Sequence, residues 1–238
     1  MNILLCNDDG YKAKGIKVLK EHLKKYGNVY LIAPKRHQSG ASHSINLSDA
    51  LEFEKIGDDE YYLDSTPADC IRISSILNIK FDLVFSGIND GLNLGTDIIY
   101  SGTVSAAREA VIMGIPGIAI SSDVGSLMDN EEELDEVLDF IFKNKLYSNE
   151  YVLNVNFPTN NFKKSKGIKI AKQGEKIFKT VFELKDKKAV PTFNLCNIKE
   201  EEDSDAYLST IGYTTIVPVE IYKTNIKAYN EMAMKYNK

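Results

Sequence analysis

The chain has 238 residues and a formal net charge of −5 with a pI near 5.4, which argues against a surface whose affinity rests on neutralising nucleic-acid phosphates. No signal or membrane-spanning stretch is visible, so a cytoplasmic α/β protein binding neither nucleic acid nor membrane is expected. Cys6, Cys70 and Cys196 are far apart, odd in number and lack C-x-x-C spacing; they support neither a disulfide framework nor a thiolate zinc site and are expected as buried small hydrophobes.

Asn2 to Cys6 reads as an interior strand of a parallel sheet, because four of its five residues are apolar without helical spacing. It runs into Asn7-Asp8-Asp9-Gly10. Two adjacent carboxylates at a strand's carboxyl end lie where ligands bind in open α/β sheets, and such a pair repels itself unless a cation sits between its members. Asp8 and Asp9 would serve equally as turn or helix-start residues, and this stretch alone leaves both readings open. Ile16, Leu19 and Leu23 then mark a crossover helix ended by Gly27-Asn28, and Val29 to Ala33 is a second apolar strand, which completes a βαβ unit.

Pro34 to Asn46 is polar and hydroxyl-rich, and by following a strand tip it should face the same crevice as Asp8. His37 and His43 are expected to be solvated loop residues, because their wide spacing and the lack of a third ligand do not make a zinc site. Ser39 lies in Gln-Ser-Gly and not in a G-x-S-x-G elbow, so no hydrolase triad is read. Leu51 to Ile56 and Tyr61 to Leu63 form a hairpin around Gly57-Asp-Asp-Glu60. Ser65 or Thr66 before Pro67 starts a helix that buries Cys70, Ile71, Ile73 and Leu77, and Phe81 to Phe85 returns as a strand.

The next stretch, Ser86-Gly-Ile-Asn-Asp-Gly-Leu-Asn-Leu-Gly95, is rich in glycine but matches neither a Walker loop nor a dinucleotide fingerprint. Ser101-Gly102-Thr103 opens an alanine-rich helix from Val104 to Met113. Free N–H groups at that helix start, with hydroxyls beside them, suit an anion; an ordinary Ser/Thr cap explains the same residues. Gly117 to Ser121 is a fifth strand. Glu131 to Lys145 is a helix burying Leu134, Val137, Leu138 and Ile141, with Glu131-Glu-Glu133 favouring its N-terminus, and Val152 to Phe157 is a sixth strand.

Beyond residue 160, lysine- and glutamate-rich segments separate strand-like pieces at Ile168–Ala171, Ile177–Leu184 and Pro191–Leu195, the pattern of long antiparallel arms that can reach a neighbouring subunit. A strand from Tyr213 to Pro218 and a helix from Asn225 to Tyr236 close the chain. The expected architecture is a doubly wound, mostly parallel, Rossmann-like sheet over residues 1–160, continued by a C-terminal antiparallel arm, strand and helix over residues 161–238 in one continuous domain.

Taken together, Ile3-Leu-Leu-Cys-Asn-Asp-Asp-Gly10, Ala33-Pro…Ser39-Gly-Ala-Ser42, Ser86-Gly-Ile-Asn89…Asn93-Leu-Gly95 and Tyr100-Ser-Gly-Thr-Val104 resemble the survival protein SurE family of metal-dependent nucleotidases. The match continues through Ser204-Asp205 and Gly212-Tyr213…Pro218. The resemblance implies that Asp8, Asp9, Ser39 and Asn89 bind one divalent cation per subunit, while Asn93 and Ser101-Gly102-Thr103 hold the phosphate. Oxygen-only ligands suit Mg²⁺ or Mn²⁺ better than zinc. The resemblance further implies hydrolysis of nucleoside monophosphates, as a 5′-nucleotidase with 3′-nucleotidase or exopolyphosphatase activity in some members, and a homodimer or homotetramer built through the C-terminal arms. A nucleotide-sensing module without turnover is the alternative, although a pure binder gains little from two acidic groups beside an anion. Lys14 stands where family members usually carry proline, and residues 163–202 match poorly.

Overall fold

The computed structural model describes residues 1–175, 178–195, 199–222 and 224–236. Cys196 and the first residue of the expected strand Ile177–Leu184 lie outside the described residues. Strand β1 (Asn2–Cys6) is buried from Ile3 onward, as a continuous apolar run requires when both faces are covered. Helix α1 (Lys14–Leu23) buries Ile16, Leu19 and Leu23 at helical spacing, and β2 (Asn28–Pro34) pairs parallel to β1. The hairpin β3 (Phe53–Gly57) and β4 (Glu60–Leu63) turns through Asp58-Asp59, with Asp59 at φ 57°. Helix α2 (Pro67–Arg72) starts with Pro67 in its first turn and a Thr66 cap that accepts the Asp69 N–H; a short 3₁₀ turn, Ile73–Leu77, continues it.

Strand β5 (Leu83–Asp90) leads through α3 (Asp97–Tyr100) into α4 (Gly102–Ile112) and β6 (Gly117–Ser122). Helix α5 (Leu127–Asn144) begins a turn earlier than the sequence suggests, because Leu127 extends the apolar stripe of Leu134, Leu138 and Ile141 onto the core. Glu131 to Glu133 therefore lie past the first turn. Instead of complementing the helix dipole, the buried Glu133 carboxylate accepts the Ser165 N–H at 2.8 and 3.1 Å.

Strand β7 (Tyr151–Asn156) precedes β8 (Ile168–Ile170), the antiparallel pair β9 (Phe178–Lys185) and β10 (Lys188–Leu195), α6 (Asp205–Thr210), β11 (Thr214–Glu220) and α7 (Ile226–Tyr236). Helix α6 has no counterpart in the sequence reading: six residues are too few for an apolar period to show, and its Ser204 cap is its main signal. The main sheet runs β3-β4-β2-β1-β5-β6-β7-β11-β8. It is parallel from β4 to β7, with β3 and β11 antiparallel to their inner neighbours.

Helices α1 and α5 cover one face through Leu19, Leu23, Leu134 and Ile141, and α2 and α4 cover the other through Cys70, Ile71, Ala106 and Ala110. Each fully buried leucine or isoleucine contributes about 1.5–3 kcal/mol through apolar burial. Chain order reverses at β1, whose neighbours are β2 on one side and β5 on the other. The crevice at that switch point is where the carboxyl ends of β1, β2 and β5 meet. Among the described residues, no helix is long and apolar enough to cross a membrane.

Candidate metal and phosphate site

The turn after β1 holds itself: Asn7 Oδ1 accepts the Gly10 N–H and Asn7 Nδ2 donates to the Gly10 carbonyl, each at 3.1 Å. Gly10 takes φ 98°, a backbone state that a side chain would strain. This closure leaves Asp8 and Asp9 at the strand tip. Asp8 is buried and its Oδ1 accepts the Thr103 hydroxyl at 2.6 Å. Gly102 lies so close that a Cβ on it would sit 2.8 Å from Asp8 Cβ and 2.9 Å from Asp8 Oδ2. Only glycine lets α4 approach the carboxylate.

Asp9 Oδ2 accepts the Asp90 N–H at 3.3 Å, and His37 Nδ1 lies 3.2 Å from Asp9 Oδ1. Burial, reinforced by the Asp8 charge, raises the Asp9 carboxyl above the usual carboxylate range.

The other residues singled out in the sequence reach this crevice through their neighbours. Ser39 is exposed and follows Gln38, whose N–H donates to the Asp8 carbonyl at 2.7 Å. Asn89 precedes Asp90, and its Nδ2 donates to the Gly91 carbonyl at 2.6 Å. A register shift between Ser86 and Asn89 in the β5–β6 ladder re-aims this strand end.

Asn93 is buried and engaged. Its Nδ2 donates to Ser121 Oγ at 2.7 Å, its N–H to Asn156 Oδ1 at 2.8 Å, and its carbonyl accepts from Asn154 and Asn156. Asp205, fully buried in α6, accepts the Gly95 N–H at 3.2 Å and the Gly174 N–H at 2.8 Å, which ties the glycine loop to the C-terminal segment. Ser101 Oγ caps α4 by accepting the Val104 N–H at 3.0 Å. Thr103 does not cap; its hydroxyl serves Asp8.

One expectation needs correction. His43 is no solvated loop residue, because its Nε2 lies 2.8 Å from the buried Glu109 carboxylate. His37 is exposed as expected but stands against Asp9, where it takes part in the acidic pair's surroundings. Neither contact was legible, since both partners come from distant segments with no periodic relation. Beside Asp9 opens a cleft of about 450 Å³ whose lining includes Lys14, His37, Ile88, Asp90 and Leu127.

Residues 3–180 match the family model described as "Survival protein SurE". The chain belongs to the survival protein SurE family. Among relatives of the family, the protein named 5′-nucleotidase SurE from Clostridium botulinum (strain Alaska E43 / Type E3) is 42% identical over 247 residues, covering 98% of each chain. The 5′-nucleotidase SurE of Aquifex aeolicus (strain VF5) is 39% identical over 235 residues, covering 94% of each. The crystal structure of the SurE protein from Aquifex aeolicus superposes with a TM-score of 0.85 at 34% identity, covering 99% of both chains.

The residue types that the resemblance assigns to the cation, at Asp8, Asp9, Ser39 and Asn89, suit a hard divalent ion. Two carboxylates at one strand tip, an amide and a hydroxyl offer only oxygen, and Gly102 leaves a cradle beside Asp8 that a Cβ would fill. Among the described residues, no cluster of three or more His, Cys, Asp or Glu side chains is placed to hold a metal ion, and the set implied by the resemblance has two carboxylates.

Proposed function

We propose that this chain is a 5′-nucleotidase that hydrolyses nucleoside monophosphates with one Mg²⁺ or Mn²⁺ held by Asp8, Asp9, Ser39 and Asn89. The observation that carries the reading is the acidic pair at the switch point, braced by Thr103 and pressed against Gly102 at the start of α4. The names of the Clostridium botulinum and Aquifex aeolicus relatives supply the substrate class.

A divalent cation in this set supplies polarisation of a phosphoryl oxygen and a lowered pKa for the attacking water. The chain's own part is alignment. The Thr103 hydroxyl and the Asp90 N–H fix the two carboxylates before substrate arrives. With Ser101 Oγ taking the Val104 N–H, the Gly102 and Thr103 N–H groups at the positive end of α4 would meet the phosphate oxygens in this reading. Donors there stabilise the charge that grows on the equatorial oxygens in the transition state. Asn93 belongs to the phosphate-binding set in this reading, with its amide held in place by Ser121. We assign the nucleophile to water, since both carboxylates belong to the cation set. Activity on 3′-nucleotides and short polyphosphate is a further part of the proposal.

Residues 161–238 serve oligomerisation in this reading, with β9–β10 and α7 meeting a second copy; apolar Phe182, Leu184, Met232 and Met234 on these elements are exposed. The free, buried thiols of Cys6 and Cys70 suit a reducing cytoplasm. The test is phosphate release from nucleoside 5′- and 3′-monophosphates with and without Mg²⁺ or Mn²⁺. Turnover should vanish in excess EDTA and return with metal; undiminished turnover in EDTA would sink the metal mechanism.

A further inference from the structure

Helix α4 holds Asp8 through Thr103, and six residues further on it presents a second anchor, the buried Glu109. Glu109 Oε2 lies 2.8 Å from His43 Nε2, and Arg72 Nε lies 3.7 Å from its other oxygen. His43 belongs to the loop that carries Ser39. We infer that His43 and Glu109 are positioning residues for the cation site: one rigid helix sets both the Asp8 carboxylate and the Ser39 loop, so that these two sides of the donor set cannot move independently. This inference rests on the reading of Ser39 as a cation ligand.

The loop needs such an anchor. Ser39 is exposed, and between β2 and β3 the chain forms no regular element for eighteen residues, 35–52. Its near end is tied by the Gln38 N–H on the Asp8 carbonyl. Its far end is tied to the helices covering the sheet. Ser42 donates through N–H and Oγ to the Tyr100 and Ile99 carbonyls at 3.0 and 2.7 Å, just before α4 begins. The Ser44 carbonyl accepts the Thr66 hydroxyl at 2.7 Å, and the Asn46 N–H donates to buried Asp69 at 2.9 Å.

Within this set the His43–Glu109 contact is the one that joins a loop side chain to a buried carboxylate. A buried carboxylate is costly unless charge or hydrogen bonds compensate it, so Glu109 draws His43 inward as strongly as His43 holds the loop. Asp69 bonds Arg72 at 3.2 Å, and Arg72 faces Glu109 as well, which joins α2, α4 and the loop through one chain of charges. None of these groups touches the cleft beside Asp9. Their effect reaches the cation only by fixing where Ser39 stands.

The test uses the full-length chain stripped with EDTA and titrated with Mn²⁺ alone, reading free Mn²⁺ by electron paramagnetic resonance. Outer-shell partners of metal ligands change affinity by about 10–100-fold when removed, and His43→Ala should raise the Mn²⁺ dissociation constant by about tenfold or more. His43→Gln keeps an amide N–H for Glu109 and should recover most of the affinity. In phosphate-release assays His43→Ala should regain near-normal kcat at saturating Mn²⁺, which a residue acting on the phosphate itself would not do. His43→Ala binding Mn²⁺ as wild type does would overturn the inference while leaving the nucleotidase reading intact. Equal weakening by His43→Gln and His43→Ala, with equal losses in Tm, would also overturn it by pointing to packing alone. Failure of the wild-type chain to bind Mn²⁺ would remove the cation site itself and the inference with it.

Discussion

The strand-tip loops around Asp8 and the C-terminal arm treat their side chains in opposite ways. At the strand tips, buried polar groups are satisfied within the chain: the Thr103 hydroxyl by Asp8, the Asn93 amide by Ser121 and its N–H by Asn156, and the Asp205 carboxylate by the Gly95 and Gly174 N–H groups. On the arm, Phe182 is 64% and Leu184 78% exposed, and on α7 Met232 and Met234 are 62% and 76% exposed. The first region holds its polar groups in fixed positions, as alignment of a small ligand requires in the proposed function. The second leaves its apolar surface for something of its own size to cover.

If that contrast is right, substitutions at the strand tips should change chemistry and those on the arm should change assembly. The largest effect is expected at the acidic pair. Asp8→Asn and Asp9→Asn should each lower kcat by about 100-fold or more, since each removes charge stabilisation from the transition state; near-normal kcat at saturating Mn²⁺ would take that residue out of the site. Gly102→Ala comes next. Its methyl group would drive Asp8 or Pro67 aside, and misplacement by about an ångström can cost about 100-fold, so loss of activity with a native circular dichroism spectrum is expected.

Thr103→Ala and Ser101→Ala should separate the two roles that one turn combines. Losing a hydrogen bond to a charged group costs about 1.5–3 kcal/mol, so Thr103→Ala should lower kcat/KM by about one to two decades. Ser101→Ala removes the cap and should cost about 1 kcal/mol in urea unfolding, and it should retain far more activity than Thr103→Ala. The reverse ranking would make Thr103 the structural residue. On the arm, Phe182→Ser with Leu184→Ser should shift the mass seen by sedimentation while turnover per chain changes by no more than about twofold, because surface substitutions act locally. An unchanged mass would remove these residues from the proposed interface.

The smallest effect belongs to the α1–α5 surface. The His22 hydrogen bond, then Lys25, hold the Asp135 carboxyl below its usual range. A lowered folded-state pKa stabilises above the unfolded value and is lost as acid protonates the folded carboxylate. With Asp135 half exposed, solvent screening reduces this to about 0.2–1 kcal/mol. Asp135→Asn should therefore lower stability slightly at neutral pH, and the difference should close on acidification. A difference that grows in acid would reverse the sign assigned here.

Much of this molecule is legible from local sequence. The buried run of β1, the Thr66-Pro67 start of α2 and the apolar stripe Leu134, Val137, Leu138 and Ile141 follow from period and capping, which depend only on neighbours in the chain. Asp8 and Asp9 stand out for the same reason, as an acidic pair where a strand ends. Ser39, Asn89 and Asn93 enter through resemblance to a family, because nothing in their immediate surroundings distinguishes them from loop residues. Tertiary structure alone decided which hydroxyl caps α4 and which serves Asp8, why position 102 has no room for a side chain, and that His43 turns inward to Glu109. The His43–Glu109 and Thr103–Asp8 contacts join residues 66 and 95 positions apart. Contacts at such separations are set by how helices seat on a sheet, a property of packing that leaves no periodic trace along the chain.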